Sequence, residues 1–367
     1  MTASPAFHPA APVAGSPARP LDVYLAGVGT VGRALLGQIA DLAPGTLRLV
    51  GACTRSRSGL DLGGLDPAAP ALDPAPPDWP AILNRLAARA AGAPVVFVDA
   101  TGSPEVADLV EPMLAAGVSV VTPSKLANTR SQAAYDRLRQ LSATGAVHYR
   151  YETTAGAGLP LVRLIEDLVA TGDRVQSIRG VLSGTMTFLF GQIERGASFS
   201  TAARRAFEQG YSEPDVRDDL SGEDVARKLL ILARSAGLRV ERSDVEVESL
   251  VPAEAIGVPV TLVPDALAAA DADWSRRVAE AEAEDRRLRY VGEVRVEGGR
   301  PQLRVGTVAV PAGSPLGTLS GADNLVEITT ERYAASPIVV RGPGAGAQVT
   351  AAGVLADVLA VARAVAE

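Results

Sequence analysis

At 367 residues, with 47% apolar and 21% charged side chains, the chain has the composition of a globular protein of two or three domains and not of a disordered, collagen-like or coiled-coil one. A net charge of −7 argues against nucleic acid or an acidic membrane surface as the main partner. The single cysteine, Cys53, permits no intrachain disulfide and fits a reducing cytoplasm, and two histidines, His8 and His148, are too few for a histidine-rich metal site.

Residues 1–20 are mostly Ala, Pro and Ser and read as a disordered tail without the basic and apolar regions of a secretory signal. Order is expected from Leu21. A buried strand over 21–26 leads through Gly27-Val28-Gly29-Thr30-Val31-Gly32 into a helix ending near Ala43, and a second strand follows over 47–53. The Gly/Pro/Asp-rich stretch 54–80 reads as a long loop. Helices near 80–91, 104–116 and 131–143 then alternate with strands at 94–100, 118–122 and 147–152. This alternation predicts an α/β unit, a parallel sheet covered on both faces. From Ala157 to Gly237 helices dominate, with one extended piece at 175–182; alternating segments return over 288–340. A second, α+β domain is expected over 151–345, and the Ala/Val/Leu helix 346–367 is expected to pack back on the first domain, 21–150. No run of about 18 apolar residues lacks a charge, so no membrane span is expected.

Three motifs carry chemistry. In Gly27-x-Gly29-x-x-Gly32, between a strand and a helix, the glycines permit a tight turn and close approach of a pyrophosphate to the helix start. The second strand ends Cys53-Thr54-Arg55-Ser56-Arg57, with no acid to take a ribose 2′-hydroxyl; Arg55 and Arg57 suit a 2′-phosphate, so NADP(H) is expected over NAD(H). Thr101 follows the next expected strand and is counted with the cofactor contacts. Thr122-Pro123-Ser124-Lys125 stands at the C-terminal end of a strand of the parallel sheet, where ligands bind in such folds. Lys125 and Lys228 are the only lysines among 35 basic residues, which marks both as sites where an amine is needed and a guanidinium will not do.

The third motif spans 210–228. Six carboxylates, Glu213, Asp215, Asp218, Asp219, Glu223 and Asp224, fall within twelve residues ahead of an apolar-periodic helix. Asp224 and Lys228 are one turn apart on that helix. The segment suits a small zwitterionic substrate. The same residues also serve a structural reading: Ser221 with Asp224 fits a capping box, and the Asp–Lys spacing fits a surface salt bridge.

The segments GVGTVG (27–32), TPSKLANT (122–129), YETTAGAGLPLV (151–162), GVLSGTMTFLF (180–190), GYSEPDVRDDLSGEDVARKLLILAR (210–234) and GPGAGAQVTAAGVLAD (342–357) resemble homoserine dehydrogenases, most closely the dehydrogenase half of fused aspartokinase–homoserine dehydrogenases. The resemblance covers about 21–366 and implies a Rossmann-type dinucleotide-binding domain plus an α+β substrate and dimerisation domain. It implies reversible NAD(P)H-dependent reduction of aspartate 4-semialdehyde to L-homoserine, on the way to threonine and methionine, by a cytoplasmic homodimer. Residue by residue, Lys228 is implied as acid/base, with Asp224 and Lys125 beside it. Glu213, Asp218, Asp224 and Gly210 are implied at the substrate, and Gly27, Gly29, Thr30, Val31, Gly32, Lys125 and Gly346 at the cofactor. A sodium ion is implied at the Glu152 carboxylate and the backbone of Ala155, Ala157 and Leu159. Ser124 and Ala155 depart from the family's usual Asn and Val. The chain shows neither a kinase half nor room for a regulatory ACT domain, so threonine feedback through such a domain is not expected.

Two other readings stand beside this one. Aspartate-semialdehyde dehydrogenase chemistry would need a cysteine nucleophile, and Cys53 lies where the adenosine ribose is expected. Another Rossmann-type dehydrogenase of amino-acid metabolism, or a dinucleotide sensor without catalysis, would share the fold; a sensor would be marked by loss of Lys228 or Asp224, and both are present.

Overall fold

Strands buried on both faces read as unbroken apolar runs, and the first half of the chain is built from them. The computed structural model describes residues 19–43 and 45–366, so all but the last two residues of the expected tail lie outside the described residues. The first sheet is assembled from β1 (Leu21–Ala26), α1 (Thr30–Leu42), β2 (Leu47–Cys53), β3 (Ser58–Leu60), α2 (Trp79–Ala90), β4 (Val95–Asp99), α3 (Pro104–Ala107), α4 (Val110–Ala115), β5 (Ser119–Val121), α5 (Gln132–Ala143) and β6 (Tyr149–Arg150). Its order is β3-β2-β1-β4-β5-β6, and the chain reverses direction across the sheet between β1 and β4. All neighbours are parallel except β3, which runs antiparallel to β2. This is the doubly wound arrangement whose ligand crevice lies at the carboxyl ends of β1 and β4.

Three local expectations change. The stretch 54–80 is not all loop, because Ser58–Leu60 turns back along β2. The helix expected over 104–116 breaks into two pieces at Asp108–Leu109; Pro112 has no N–H to offer the carbonyl of Asp108. The strand expected over 147–152 shrinks to Tyr149–Arg150, since Glu152–Thr154 forms a 3₁₀ turn.

The second unit follows as α6 (Val162–Ala170), β7 (Val175–Val181), α7 (Gly184–Ile193), α8 (Phe199–Glu208), α9 (Val216–Leu220), α10 (Glu223–Ser235), β8 (Val245–Val247), α11 (Val263–Ala266), α12 (Asp271–Ala283), β9 (Arg286–Glu297), β10 (Arg300–Pro311), β11 (Asp323–Thr330) and β12 (Ile338–Pro343). Its sheet has the order β12-β11-β7-β9-β10-β8. The longest ladder is the β9–β10 hairpin, paired from Arg286↔Pro311 to Glu297↔Arg300. Gly298 and Gly299, both at positive φ, supply the tight turn such a hairpin needs.

The last helix, α13 (Ala347–Ala364), returns to the first sheet. Val354, Leu355, Val358 and Val361 pack with Leu35, Leu36 and Ile39 of α1 and with Leu21, Val23 and Leu25 of β1. By length and composition alone α13 could cross a membrane, but here its apolar face is spent on this core. On the opposite face of the first sheet, one continuous core runs from Phe97 and Val120 through Tyr151 and Ile165 to Leu229, Leu232 and Val294 of the second unit.

Close packing of α13 depends on Gly353, where an added Cβ would fall 2.4 Å from Thr153 Cγ2 and 3.2 Å from the Cα of Gly158. Gly353→Val is expected to destabilise the fold by about 1–3 kcal/mol through overpacking. Gly37→Ala in α1, where a Cβ meets nothing within 4 Å, should instead stabilise by up to about 1 kcal/mol through helix propensity. Urea unfolding of the two variants tests both signs.

Asp99 at the end of β4 is 1% exposed. It accepts from the N–H (2.9 Å) and hydroxyl (2.6 Å) of Thr101, and its carboxylate has no cation paired with it among the described residues. Burial raises its pKa against the opposing pull of these bonds. With the folded pKa above the unfolded one, the native state holds the proton longer, so stability falls as pH climbs through the interval between them. Asp99→Asn removes that component. The variant should lose less stability than wild type as pH rises from about 4, the ordinary aspartate range, read from urea midpoints; an unchanged pH slope would contradict the assignment.

Candidate active site

The Gly27–Gly32 turn is shaped by sterics. Gly27 has φ +101°, and a Cβ on it would lie 2.6 Å from the carbonyl oxygen of Ala100; one on Gly32 would lie 2.0 Å from the oxygen of Gly27. Both positions exclude any side chain. Gly29, the N-cap of α1, is different: a Cβ there meets nothing within 4 Å. Its backbone borders open space at the start of a thirteen-residue helix, a cradle suited to a pyrophosphate. That space is a cleft of about 780 Å³, lined by Gly27, Val28, Gly29, Cys53, Thr54, Arg55, Trp79 and Thr101 among others. The residues therefore fit a dinucleotide.

The two expected phosphate-binding arginines part company. Arg55 lines the cleft, whereas Arg57 does not: its guanidinium donates to the carbonyl of Leu72, at 2.5 Å from Nη2, and so braces the 61–76 loop. Cys53 lines the same cleft but is 2% exposed, and burial pushes its thiol pKa up. It is a poor nucleophile and is enclosed among cofactor-cleft residues.

A second cleft of about 800 Å³ lies on the other side of the glycine turn. It gathers residues that are far apart in sequence: Thr30 and Val31, Lys125, Gly210 and Glu213, Asp218 and Asp219, Asp224 and Lys228, and Gly346. Lys125 comes from the turn after β5 and Lys228 from α10. They meet at a single carboxylate, with Lys228 Nζ 2.8 Å and Lys125 Nζ 3.2 Å from the Asp224 oxygens. Lys228 Nζ also donates to the carbonyl of Leu182 at 2.8 Å. Desolvation works against charge on Asp224, but Lys228 and then Lys125 outweigh it and hold its carboxyl well below the usual aspartate range. The Lys228 side chain is 13% exposed, against 27% for Lys125 and 48% for Asp224. Lys228 is thus the most enclosed of the three.

The expected capping box at Ser221 and Asp224 does not form. The N-cap of α10 is Gly222, in a left-handed conformation with no room for a Cβ against the hydroxyl of Tyr290. Ser221 instead donates to the carbonyl of Asp218, leaving the Asp224 carboxylate to the lysines. The six acids of 213–224 divide. Asp215 pairs with Arg217, and Glu223 with Arg227 and Arg242; these hold the segment in shape. Glu213, Asp218, Asp219 and Asp224 line the cleft.

Asp219 anchors the loop. Its Oδ2 accepts from the Glu213 N–H (2.9 Å), and its Oδ1 is bonded by the hydroxyl of Thr185 (2.8 Å), which also lies 2.6 Å from the Tyr211 carbonyl. Burial, with Asp224 and Asp218 nearby, raises the Asp219 pKa. Tyr211 stacks on Phe188 with ring centroids 4.5 Å apart. The sequence marks Asp219 only as one of six acids and does not mark Thr185 or Tyr211; the signal available for Thr185 is the Ser183 N-cap of α7. Ser124 is 8% exposed and its N–H donates to the Thr122 hydroxyl, so it shapes the turn that presents Lys125.

Glu152, Ala155, Ala157 and Leu159 lie together beneath α13 and at the start of α6. The Glu152 carboxylate accepts the N–H of Val162 (2.8 Å) and of Arg163 (2.9 Å), capping α6. Burial raises its pKa, with those amides opposing. Ala157 stands at φ +52°, and the carbonyl of Leu159 accepts from Leu161. Carboxylate and carbonyl oxygens are the donors a hard cation takes, and the Asp357 carboxylate, which accepts the Glu152 N–H at 3.1 Å, lies beside them.

The chain matches the family model described as homoserine dehydrogenase over residues 160–359, and that of the homoserine dehydrogenase NAD-binding domain over 27–152. A homoserine dehydrogenase of Paracoccidioides brasiliensis is 38% identical, the match covering 92% of this chain and 97% of that protein. A bifunctional aspartokinase/homoserine dehydrogenase of Haemophilus influenzae is 40% identical over 92% of this chain, which spans only 42% of that relative's length. A hyperthermophilic archaeal homoserine dehydrogenase solved in complex with NADPH superposes with a TM-score of 0.70 at 22% identity, over 92% of this chain and 96% of that one, a likeness of fold. With a dinucleotide cradle on one side of the glycine turn and a carboxylate-lined cleft holding both lysines on the other, the chain belongs to the homoserine dehydrogenase family.

Proposed function

We propose that the chain interconverts L-homoserine and L-aspartate 4-semialdehyde with NADP(H). The observation that carries this is Asp224, shared by a lysine from each half of the molecule inside the acid-lined cleft. A bound nicotinamide would supply or accept the hydride. Gly27, Gly29 and the start of α1 would hold its pyrophosphate, and Arg55 would meet a 2′-phosphate. Glu213, Asp218 and Asp219 present negative charge to the substrate ammonium, while the N-terminus of α7 borders the same cleft and suits the carboxylate. Lys228, the more enclosed lysine, moves the proton to or from the substrate oxygen; Asp224 orients it, and Lys125 bridges cofactor and substrate. Sodium, held by Glu152 and the backbone of Ala155, Ala157 and Leu159, would neutralise the carboxylate under α13. A second copy of the chain is the partner this reading brings, and the outer face of the second sheet supports it: Arg179, Glu293 and Glu327 stand half-buried there beside the 45% exposed Val339.

Mixing the protein with NADP+ and L-homoserine should produce the nicotinamide absorbance band, and its absence at neutral and alkaline pH would leave a dinucleotide sensor. Lys228→Arg keeps the charge but cannot release the proton. It is expected to lower kcat by ~10²–10⁴-fold with cofactor affinity little changed. If Lys125→Arg abolishes turnover while Lys228→Arg does not, the two lysines exchange roles.

Arg55→Ala should weaken NADP+ more than NAD+. Loss of one charge-assisted contact corresponds to roughly 10-fold in the ratio of their KM values. Equal weakening of the two cofactors would show that Arg55 does not read the 2′-phosphate.

A further inference from the structure

Lys125 and Lys228 belong to different halves of the molecule, and the reaction proposed above needs them in one place. Their visible link, the Lys125–Asp224 pair, is a half-exposed contact, and such contacts hold geometry weakly. Something else must set the distance. The helix α10 that carries Asp224 and Lys228 also carries Arg234, whose side chain is fully buried, at 0% exposure.

The Arg234 guanidinium is spread over backbone carbonyls of both halves. Nη1 donates to the carbonyls of Asn128 and Arg130, each at 2.8 Å. Nε and Nη2 donate to the carbonyl of Val240 at 3.1 and 2.9 Å, and Nη2 reaches Glu241 at 3.2 Å. The group sits over the ring of Tyr135, 5.5 Å from its centroid. Two further bonds seal the joint: the Gln132 N–H donates to Glu241 and the Val240 N–H to the side chain of Gln132. Asn128 and Arg130 belong to the turn that begins at Lys125, which the Thr129 N–H closes onto the Lys125 carbonyl at 3.0 Å. Along α10, Arg234 follows Lys228 by six residues, roughly 9 Å of helix.

We propose that Arg234 is a positioning residue for catalysis: it ties the Lys125 turn to α10 and thereby sets Lys125 against Asp224 and Lys228. This rests on the homoserine dehydrogenase reading. The joint needs the planar fork of a guanidinium, since one ammonium group cannot reach the Asn128, Arg130 and Val240 carbonyls together. It makes the Lys125 edge of the cleft a fixed edge.

The test compares Arg234→Lys and Arg234→Met with wild type, alone and combined with Lys125→Met. Arg234→Met is expected to lower kcat by about 10²-fold, the cost of misplacing reacting groups by about an ångström. Arg234→Lys should fall less, and any change in cofactor KM in either variant should be no larger than that of Lys125→Met, the residue through which Arg234 acts. In the Lys125→Met background neither substitution should lower kcat further, since the residue acts through Lys125. Independent, multiplying losses would overturn the proposal, as would wild-type kcat in either folded variant. If Arg234→Met does not fold, Arg234→Lys assayed below its Tm decides. Amide hydrogen exchange over 125–130 in Arg234→Lys gives a readout without catalysis and should be faster than in wild type; unchanged exchange would overturn the joint. A wild-type protein that does not oxidise homoserine would instead fail the functional reading, leaving the exchange result to decide the joint.

Discussion

One carboxylate shared by two ammonium groups organises the cleft. Asp224 receives Lys125 from the turn after β5 and Lys228 from its own helix, one turn further on. Neither lysine has another acid in salt-bridge range among the described residues. Two positive charges facing each other at the mouth of a cleft would repel; one intervening negative charge makes the arrangement stable and keeps Asp224 ionised. Glu213 and Asp218 also line the cleft, with no salt-bridge partner among the described residues, while Asp219 lines it with both carboxylate oxygens engaged by Thr185 and the Glu213 amide.

The rest of the fold serves that meeting. The continuous core from Phe97 to Leu232 joins the two sheets on one side. On the other, α13 crosses back to α1 and presses Gly353 against the 153–158 segment. Glycines divide into two physical kinds. Gly27, Gly32, Gly222 and Gly353 are places where a side chain would collide with backbone or with a neighbouring ring. At Gly29, the N-cap of α1, a side chain would meet no such collision, and its backbone borders the cleft.

Sequence neighbours are often functional strangers here. Arg55 and Arg57 are two residues apart, yet one borders the cofactor cleft and the other braces a loop carbonyl. Asp215 and Glu223 look no different in sequence from Asp218 and Asp224, but arginines at 217, 227 and 242 claim them. Asp218 and Asp219 are adjacent, and it is the second, through Thr185 and the Glu213 amide, that fixes the 211–219 loop. A charge pattern along a chain reports how many acids there are; which of them remain free depends on where arginines from other elements arrive.

The features legible along the chain are local or repetitive: the alternation that makes the first sheet parallel apart from β3, the glycine spacing of the 27–32 turn, the apolar last helix, and the two lysines left in an arginine-rich chain. The first three follow from backbone sterics or side-chain periodicity within a few residues, and the fourth from composition alone. Tertiary structure decided that Ser221 and Asp224 do not cap α10, because Gly222 must tuck under Tyr290 and begins the helix one residue later. It also decided that Lys125 and Lys228, 103 positions apart by their numbers (228 − 125), converge on one carboxylate. That convergence rests on a buried arginine bonding to backbone carbonyls, groups every residue carries, so no pattern of side chains along the chain could announce it.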